Sequence, residues 1–401
     1  MPESRPLTLL CITTYEKGQE FMRECKRRGC RVLLLTGEKL RDADWPRESL
    51  QDIFYLPTEL PLADIVKAVT HLARSQKIDR IVALDEYDME TASTLREHLR
   101  VPGMGLSTMR YFRDKLAMRM RALDRGVRVP DFVPVFHHED IRYYVGHVPG
   151  PWVLKPRQEA SAIGIRKIQV ADELWPILEQ LGDKQSAYLL EKFVPGEVYH
   201  VDSVVSENEV VFANVSQYGK PPMNVAQGGG VFTSFTVPRE GQADTGLRPI
   251  NRDLIAALGL VRGVAHAEFI QAHADGNFYF LECAARVGGA YINEMVEAAT
   301  GINLWREWAR IEIAGEDVTY KLPPERKEYA GVILALARQG DPDTSAYNDP
   351  EVLLRIKRHH HAGLIVRSTD PQRVPALLES YARRFAQEFL AVEPPREKPT
   401  A

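Results

Sequence analysis

Cysteine is scarce: four residues (Cys11, Cys25, Cys30 and Cys283) in a chain of 401. They are too few and too scattered for a disulfide framework, which points to a reducing compartment and a cytoplasmic protein. No second pair completes a metal site with Cys25 and Cys30, so both read as ordinary helix residues. Long apolar runs are missing too; nothing approaches the roughly 20 residues of a membrane span. The run 7–14 is too short for a secretory leader and has no small-residue cleavage site, so it reads as a first strand. Charge of one sign does not dominate. The net charge of −4 at pH 7 leaves no electrostatic footprint for nucleic acid. Both glycine-rich phosphate signatures are missing as well. No G-x-G-x-x-G follows the first strand and no G-x-x-x-x-G-K-[ST] exists, which excludes the dinucleotide fingerprint and the P-loop. There is no internal repeat.

What is present describes a globular protein, 44% apolar and 26% charged. Its length predicts two or three domains of about 100–200 residues each. Over 1–110, apolar runs at 7–13, 31–35 and 80–84 alternate with helix patterns at 19–28 and 62–76, which predicts a parallel sheet with helices on both faces. Ligands sit at the carboxyl ends of such strands, so "ALDEYDMETA" after the third strand is a candidate. Its Asp85, Glu86 and Asp88 have a plainer reading as acidic residues at a helix N-terminus. A helix pattern at 109–125 carries Asp114 and Lys115 near its start. Short strands follow at 152–155 and 188–193, with a helix at 173–181 between them. A hairpin is expected from 197–205 to 210–215, then a helix at 245–258. Strands at 263–271 and 277–285 join through Asp275 and Gly276. The remainder from about 325 reads as a small α/β segment with strands at 330–337 and 364–367, a helix at 374–389 and a disordered tail.

Three stretches carry chemistry. In "HAEF" and "FLECAARVGG", a three-residue turn near Asp275 or Gly276 would pair even positions with even, bringing Glu268 and Glu282 together on one face; a two-residue turn would separate them. Adjacent carboxylates destabilise a sheet unless a proton or cation lies between them, and Mg²⁺ is held by one or two carboxylates plus substrate phosphates. Lys155 closes "WVLK" before a small-residue loop with Ser161 and Gly164, a pattern suited to a phosphate clamp. In "YLLEKFVPGE", a strand edge can read an adenine ring while Glu191 or Glu197 accepts hydroxyls. The glycine-rich 216–234 stretch, with Gln227, Gly228 and Gly229, suits a substrate loop or lid that excludes water. Gly288 and Gly289 would allow the backbone to approach a substrate closely. His200 and His266 read equally well as substrate contacts or packed histidines. The run His359, His360 and His361 reads as a polar strand end, because strand neighbours point to opposite faces.

In this order, Asp114 and Lys115, "VLKP" with its small loop, "LLEKFVPGE", "HAEF" and "FLECAARVGG" resemble the ATP-grasp superfamily over nearly the whole chain. The likeness is to the carboxylate–amine ligases related to biotin carboxylase and to amino-acid or dipeptide ligases. The resemblance implies an α/β, ATP-grasp fold: an N-terminal half-Rossmann-like parallel-sheet domain at 1–110, an α+β ATP-grasp domain at 111–325 and a small C-terminal α/β domain at 326–401. It implies that Lys115 and Lys155 contact the ATP phosphates and that the loop from Ser161 to Gly164 closes over them. Glu191 with the backbone of Phe193 and Val194 would hold adenine, and Glu197 the ribose. Glu268 and Glu282 would bind Mg²⁺, with Mn²⁺ as the alternative ion, and Arg286 would stabilise the transferred phosphoryl group. The implied reaction is ADP-forming: a carboxylate becomes an acylphosphate, and an amine displaces phosphate to give an amide. The implied partners are a small carboxylate and an amine, with no nucleic acid and no membrane; such families commonly form homodimers. Two departures stand out. Ala284 occupies the position where the family commonly carries a metal-binding Asn, which leaves nucleotide binding without turnover as an alternative. Ala290 and Tyr291 replace the Glu-His pair of biotin carboxylases, which argues against carboxylation.

Overall fold

The structure is a computed structural model that describes residues 5–160, 163–223, 225, 229–315 and 320–391. The expected tail lies largely outside them. Strands β1 (Thr8–Thr13), β2 (Arg31–Gly37), β3 (Asp52–Leu56) and β4 (Arg80–Ala83) form a sheet in the order β3–β2–β1–β4, with every pairing parallel. Burial on both faces explains the unbroken apolar runs. Leu10, Ile12, Leu33 and Leu35 pack on one side with Val69, Ala92 and Leu95 of the helices Leu62–Ala73 and Met89–Leu99. Leu9, Cys11 and Leu34 pack on the other with Phe21, Met22 and Cys25 of the helix Gln19–Arg27. The sequence pattern missed β3, a short strand at the sheet edge. Cys30 lies just before β2 rather than in a helix, and all four cysteines are buried and free.

The expected helix at 109–125 is broken. Leu106–Met109 and a 3₁₀ turn, Arg110–Phe112, end before Asp114, which caps a separate helix at Lys115–Asp124 by accepting from the amides of Leu116 (3.0 Å) and Ala117 (3.4 Å). An aspartate that bonds the backbone two and three residues on ends one helix and starts another.

A second sheet, antiparallel, runs β5 (Phe132–Pro134), β8 (Tyr188–Lys192), β6 (Trp152–Pro156) and β7 (Arg166–Ile168). The third sheet has eight strands in the order β13 (Phe278–Ala284), β12 (Gly263–Ala272), β9 (Gly196–Ser206), β10 (Glu209–Tyr218), β11 (Phe232–Thr236), β14 (Tyr329–Leu336), β16 (His361–Ser368) and β15 (Val352–Arg358). The hairpin between β9 and β10 turns through Glu207 and Asn208, both with positive φ (52° and 65°). The C-terminal strands do not form a sheet of their own: β14 pairs with β11, extending the large sheet, while the helix Arg373–Glu388 packs on it. His359 and His360 form the turn between β15 and β16, and His361 begins β16. No described helix is long and apolar enough to cross a membrane.

The loop after β4 places two acidic residues differently from the third. Asp85 accepts from the Tyr87 amide (3.1 Å), as the helix-start reading expects. Glu86 reaches into the cleft described below. Asp88 is buried, accepts from the Thr14 amide at 2.9 Å, and sits near Asp85 and Lys17. Burial, assisted by the Asp85 charge, pushes its carboxyl up to about 7 against an ordinary 3.8. The native state therefore keeps a proton that the unfolded chain has released, and stability falls as pH rises through that window. Asp88→Asn keeps the acceptor and removes the titration. Its melting temperature should exceed wild type by several degrees at pH 8 and match it at pH 4 or below, as read by thermal unfolding at both pH values.

Candidate active site

A cleft of about 750 Å³ opens between the second sheet and the β13 edge of the large one. It gathers Lys115, Lys155, Glu191, Glu197, Glu268, Glu282 and Arg286, with Phe193 and Val194 in the same wall. These came from five separate sequence stretches.

At the β12–β13 edge, Glu268 and Glu282 are direct cross-strand partners. The expected three-residue turn is not the cause. Ala272 pairs with Asn277 around a four-residue turn, so Ile270 faces Tyr279 and Phe269 faces Phe280, even with odd. A β-bulge then leaves Leu281 unpaired in the ladder, and beyond it Glu268 meets Glu282, and His266 meets Ala284. One extra residue restores the register that the turn alone would have lost. Lys115 Nζ lies 2.9 Å from Glu282 and 2.5 Å from the Glu159 carbonyl. Tyr218 donates to Glu268 (2.8 Å), and His266 Nε2 stands 3.5 Å from the same oxygen. Two facing carboxylates beside Lys115 and Arg286 are hard oxygen donors and fit a divalent cation that arrives with phosphate.

Behind Glu268 lies a buried network that the sequence pattern did not reveal. Asp202 accepts from His266 Nδ1 (2.8 Å) and His200 Nδ1 (2.7 Å), and His200 Nε2 meets Ser234 Oγ at 2.7 Å. Burial alone would lower the His266 imidazole, but the Asp202 carboxylate outweighs it and raises it to about 9. Both histidines are thus packed in one network, while His266 also borders the cleft. Alternate residues on β9 share a face, so His200 and Asp202 converge; only their partner, His266 on β12, needed the fold to be seen.

The opposite wall is set by Glu191, buried between Lys155 Nζ (2.5 Å) and Arg119 Nε (3.1 Å). Burial would raise the Glu191 carboxyl; the two cations outweigh it and hold it down. Burial likewise pushes the Lys155 ammonium down to about 8, against the pull of Glu191. Asp114 pairs with Arg157 (Nε at 2.9 Å), which ties the start of the Lys115 helix to the loop after β6. In that loop Gly164 has φ 70°, and a Cβ there would fall 2.9 Å from the Pro156 ring. Lys167 Nζ sits 3.8 Å from the Phe193 ring centroid. Glu197 is at the rim, half exposed and 3.3 Å from His273.

Arg286 is anchored by the N-terminal sheet: its Nη2 lies 2.6 Å from Glu86, which Arg113 also approaches at 3.2 Å. Burial would raise the Glu86 carboxyl, but the two guanidinium groups hold it down to about 2. Of the remaining expected residues, Ser161, Gln227 and Gly228 lie outside the described residues, and Gly229 adopts φ 67° without being among the described lining residues. Gly289 borders the cleft, whereas Gly288 faces inward against the His266–Asp202 pair. Ala290 and Tyr291 follow with positive φ (51° and 61°), a strained turn beside the cleft.

This architecture has known relatives. Residues 148–294 match the family described as "ATP-grasp domain". The sequence is 27% identical over 244 residues to the L-arginine-specific L-amino acid ligase of Bacillus subtilis, covering 59% of this chain. The match spans 58% of that relative's length. Among solved structures, an L-amino acid ligase from Bacillus licheniformis superposes with a TM-score of 0.76 at 18% identity, over 97% of this chain and 99% of that one. The biotin carboxylase domain dimer of Hydrogenobacter thermophilus 2-oxoglutarate carboxylase, crystallised with MgADP, ADP and bicarbonate, gives 0.72 at 15% identity over 96% and 91%. The chain carries an ATP-grasp domain, and its fold is the ATP-grasp fold.

The two glycines separate experimentally. A Cβ at Gly288 would lie 3.0 Å from His266 Nδ1 and 3.1 Å from Asp202, whereas one at Gly289 meets nothing within 4 Å. Gly288→Ala should cost about 1–3 kcal/mol in denaturant unfolding, and Gly289→Ala should leave stability unchanged.

Proposed function

We propose that the protein is an ATP-dependent carboxylate–amine ligase that forms ADP and joins amino-acid-like substrates through an amide bond. The observation that carries the reading is the facing pair Glu268 and Glu282 beneath Lys115 and Arg286, in a cleft whose far wall offers Lys155, Glu191 and the Phe193–Val194 edge. Adenine would lie against that wall with ribose near Glu197, and Lys155 and Lys115 would meet the phosphates. Mg²⁺ held by Glu268 and Glu282 would neutralise charge on the phosphates. Lys115, now paired with Glu282, would turn to the phosphate oxygens once that charge is met.

A substrate carboxylate oxygen attacks the γ-phosphorus, the bond to the ADP oxygen breaks, and an acylphosphate results. The substrate ammonium gives one proton to solvent, the free amine attacks the acyl carbon, the bond from that carbon to the phosphate oxygen breaks, and the departing phosphate takes up the second amine proton. Arg286, held by Glu86, keeps a fixed guanidinium at the charge that develops on the transferred group, which requires no reorganisation during the step. The wall formed by Tyr218, Pro221, Pro222 and Met223 would keep water from the acylphosphate.

A second reading, nucleotide binding without turnover, is favoured by Ala284, which faces His266 and offers no ligand atom. Carboxylation is disfavoured, because the turn at Ala290 and Tyr291 supplies neither an acid nor an imidazole. Incubation with ATP, Mg²⁺ and a panel of amino acids should release ADP with amide product. ATP binding with no ADP release across the panel would support the second reading instead. Glu282→Gln should abolish ADP formation while the melting temperature stays within a few degrees of wild type; undiminished turnover would remove Glu282 from the site.

A further inference from the structure

Arg119 is the largest side chain among those buried almost completely, at 0% exposure, and no sequence signal marked it. Its guanidinium makes two kinds of contact. Nε and Nη2 meet Glu191 Oε2 at 3.1 and 3.0 Å, and Nη1 donates to the main-chain carbonyl of Leu281. Leu281 is the residue left out of the β12–β13 ladder, the one whose insertion brings Glu282 opposite Glu268. The guanidinium also lies over the Phe280 ring, 5.5 Å from its centroid. Beside it, the Phe280 amide donates to the Arg128 carbonyl at 2.8 Å, so the bulged edge is held at consecutive residues from outside the sheet. One turn earlier on the same helix, Lys115 reaches Glu282. Positions i and i+4 share a helix face, so one helix secures both the bulge and the carboxylate that follows it.

An ordinary role in neutralising Glu191 leaves part of this geometry unused. Lys155 already pairs with Glu191 at 2.5 Å, and a bond to a bulge carbonyl adds nothing to the neutralisation of a carboxylate. A bulge leaves backbone groups without ladder partners, and on an edge strand a donor from outside is what fixes its position. Arginine can do this while holding a carboxylate, because its donors form a rigid fork; a lysine ammonium is a single point.

We propose that Arg119 is a positioning residue of the metal site: by clamping the Leu281 bulge it holds Glu282 in register with Glu268. The inference rests on the nucleotide–metal reading of the cleft given above. Arg119 touches neither nucleotide nor ion; it acts through the main chain of β13.

The test uses Mn²⁺ as the probe ion and ADP as the nucleotide. Free Mn²⁺ is counted by electron paramagnetic resonance at saturating ADP, and ADP affinity is measured separately without metal by calorimetry. In Arg119→Lys, which keeps a cation beside Glu191, Mn²⁺ affinity should fall by about tenfold or more, the size of loss seen when groups that orient metal ligands are removed. Metal-free ADP affinity should change by less than about twofold in that variant, because a point charge preserves the Glu191 wall. Glu191→Gln provides the opposite case: the clamp on Leu281 stays, so Mn²⁺ affinity at saturating ADP should hold while metal-free ADP affinity falls. Mn²⁺ affinity unchanged in Arg119→Lys would overturn the proposal, as would a parallel fall of both affinities or a loss of Mn²⁺ affinity in Glu191→Gln equal to that in Arg119→Lys. Should Arg119→Lys not fold, Glu191→Gln still decides, since loss of Mn²⁺ affinity there places control of the ion with Glu191 and not with the bulge. Wild-type protein that binds no Mn²⁺ beside ADP would bring down the reading of the cleft itself, and this inference with it.

Discussion

Two glutamates face each other across adjacent strands at the edge of the large sheet, and the rest of the cleft is arranged around that repulsion. Like charges directly opposite in a ladder are unfavourable, and partial burial strengthens the effect. The molecule answers from several directions: Lys115 reaches Glu282, Tyr218 donates to Glu268, and the His266 imidazole, raised by Asp202, stands near the same oxygen. Each of these groups meets one carboxylate of the pair: Lys115 meets Glu282, and Tyr218 and His266 meet Glu268.

The same pattern recurs at each end of the cleft, where cations are held by carboxylates. Glu191 holds Lys155 and Arg119, and Glu86 holds Arg286 and Arg113. Leaving any one of these groups buried and unpaired would cost several kcal/mol, so the pairs hold the charges of the cleft in place within the fold. The Glu86–Arg286 pair also joins the N-terminal parallel sheet to the edge of the large sheet. The ion pairs that keep the cleft charged thus also connect the sheets.

Much of this was legible in the sequence and part was not, for physical reasons. The parallel sheet of the first 84 residues and the hairpin through Glu207 and Asn208 followed from apolar runs and turn residues. Lys155, Glu191, Glu268 and Glu282 were singled out because charges within or at the ends of apolar strands drew attention, and the fold brings all four to one cleft. The pairing of the two glutamates was expected for the wrong reason: the turn has even length, and an unpredicted bulge at Leu281 corrects the register. Bulges leave little composition signal. Arg119 and Asp202 were missed because their meaning lies in partners 72 and 64 residues away. The two C-terminal strands expected at 330–337 and 364–367 were read as part of a small segment apart, although β14 continues the large sheet, because sequence order carries no record of which edge a strand joins; β15 was not expected.

The position of a divalent ion when nucleotide is bound is the most direct test of the site. A crystal structure with MgADP should show Mg²⁺ coordinated by both Glu268 and Glu282 and by the β-phosphate, with adenine against the Phe193–Val194 wall and Lys115 moved from Glu282 to a phosphate oxygen. Nucleotide bound in the cleft with no ion on either glutamate, or nucleotide bound elsewhere on the molecule, would contradict it.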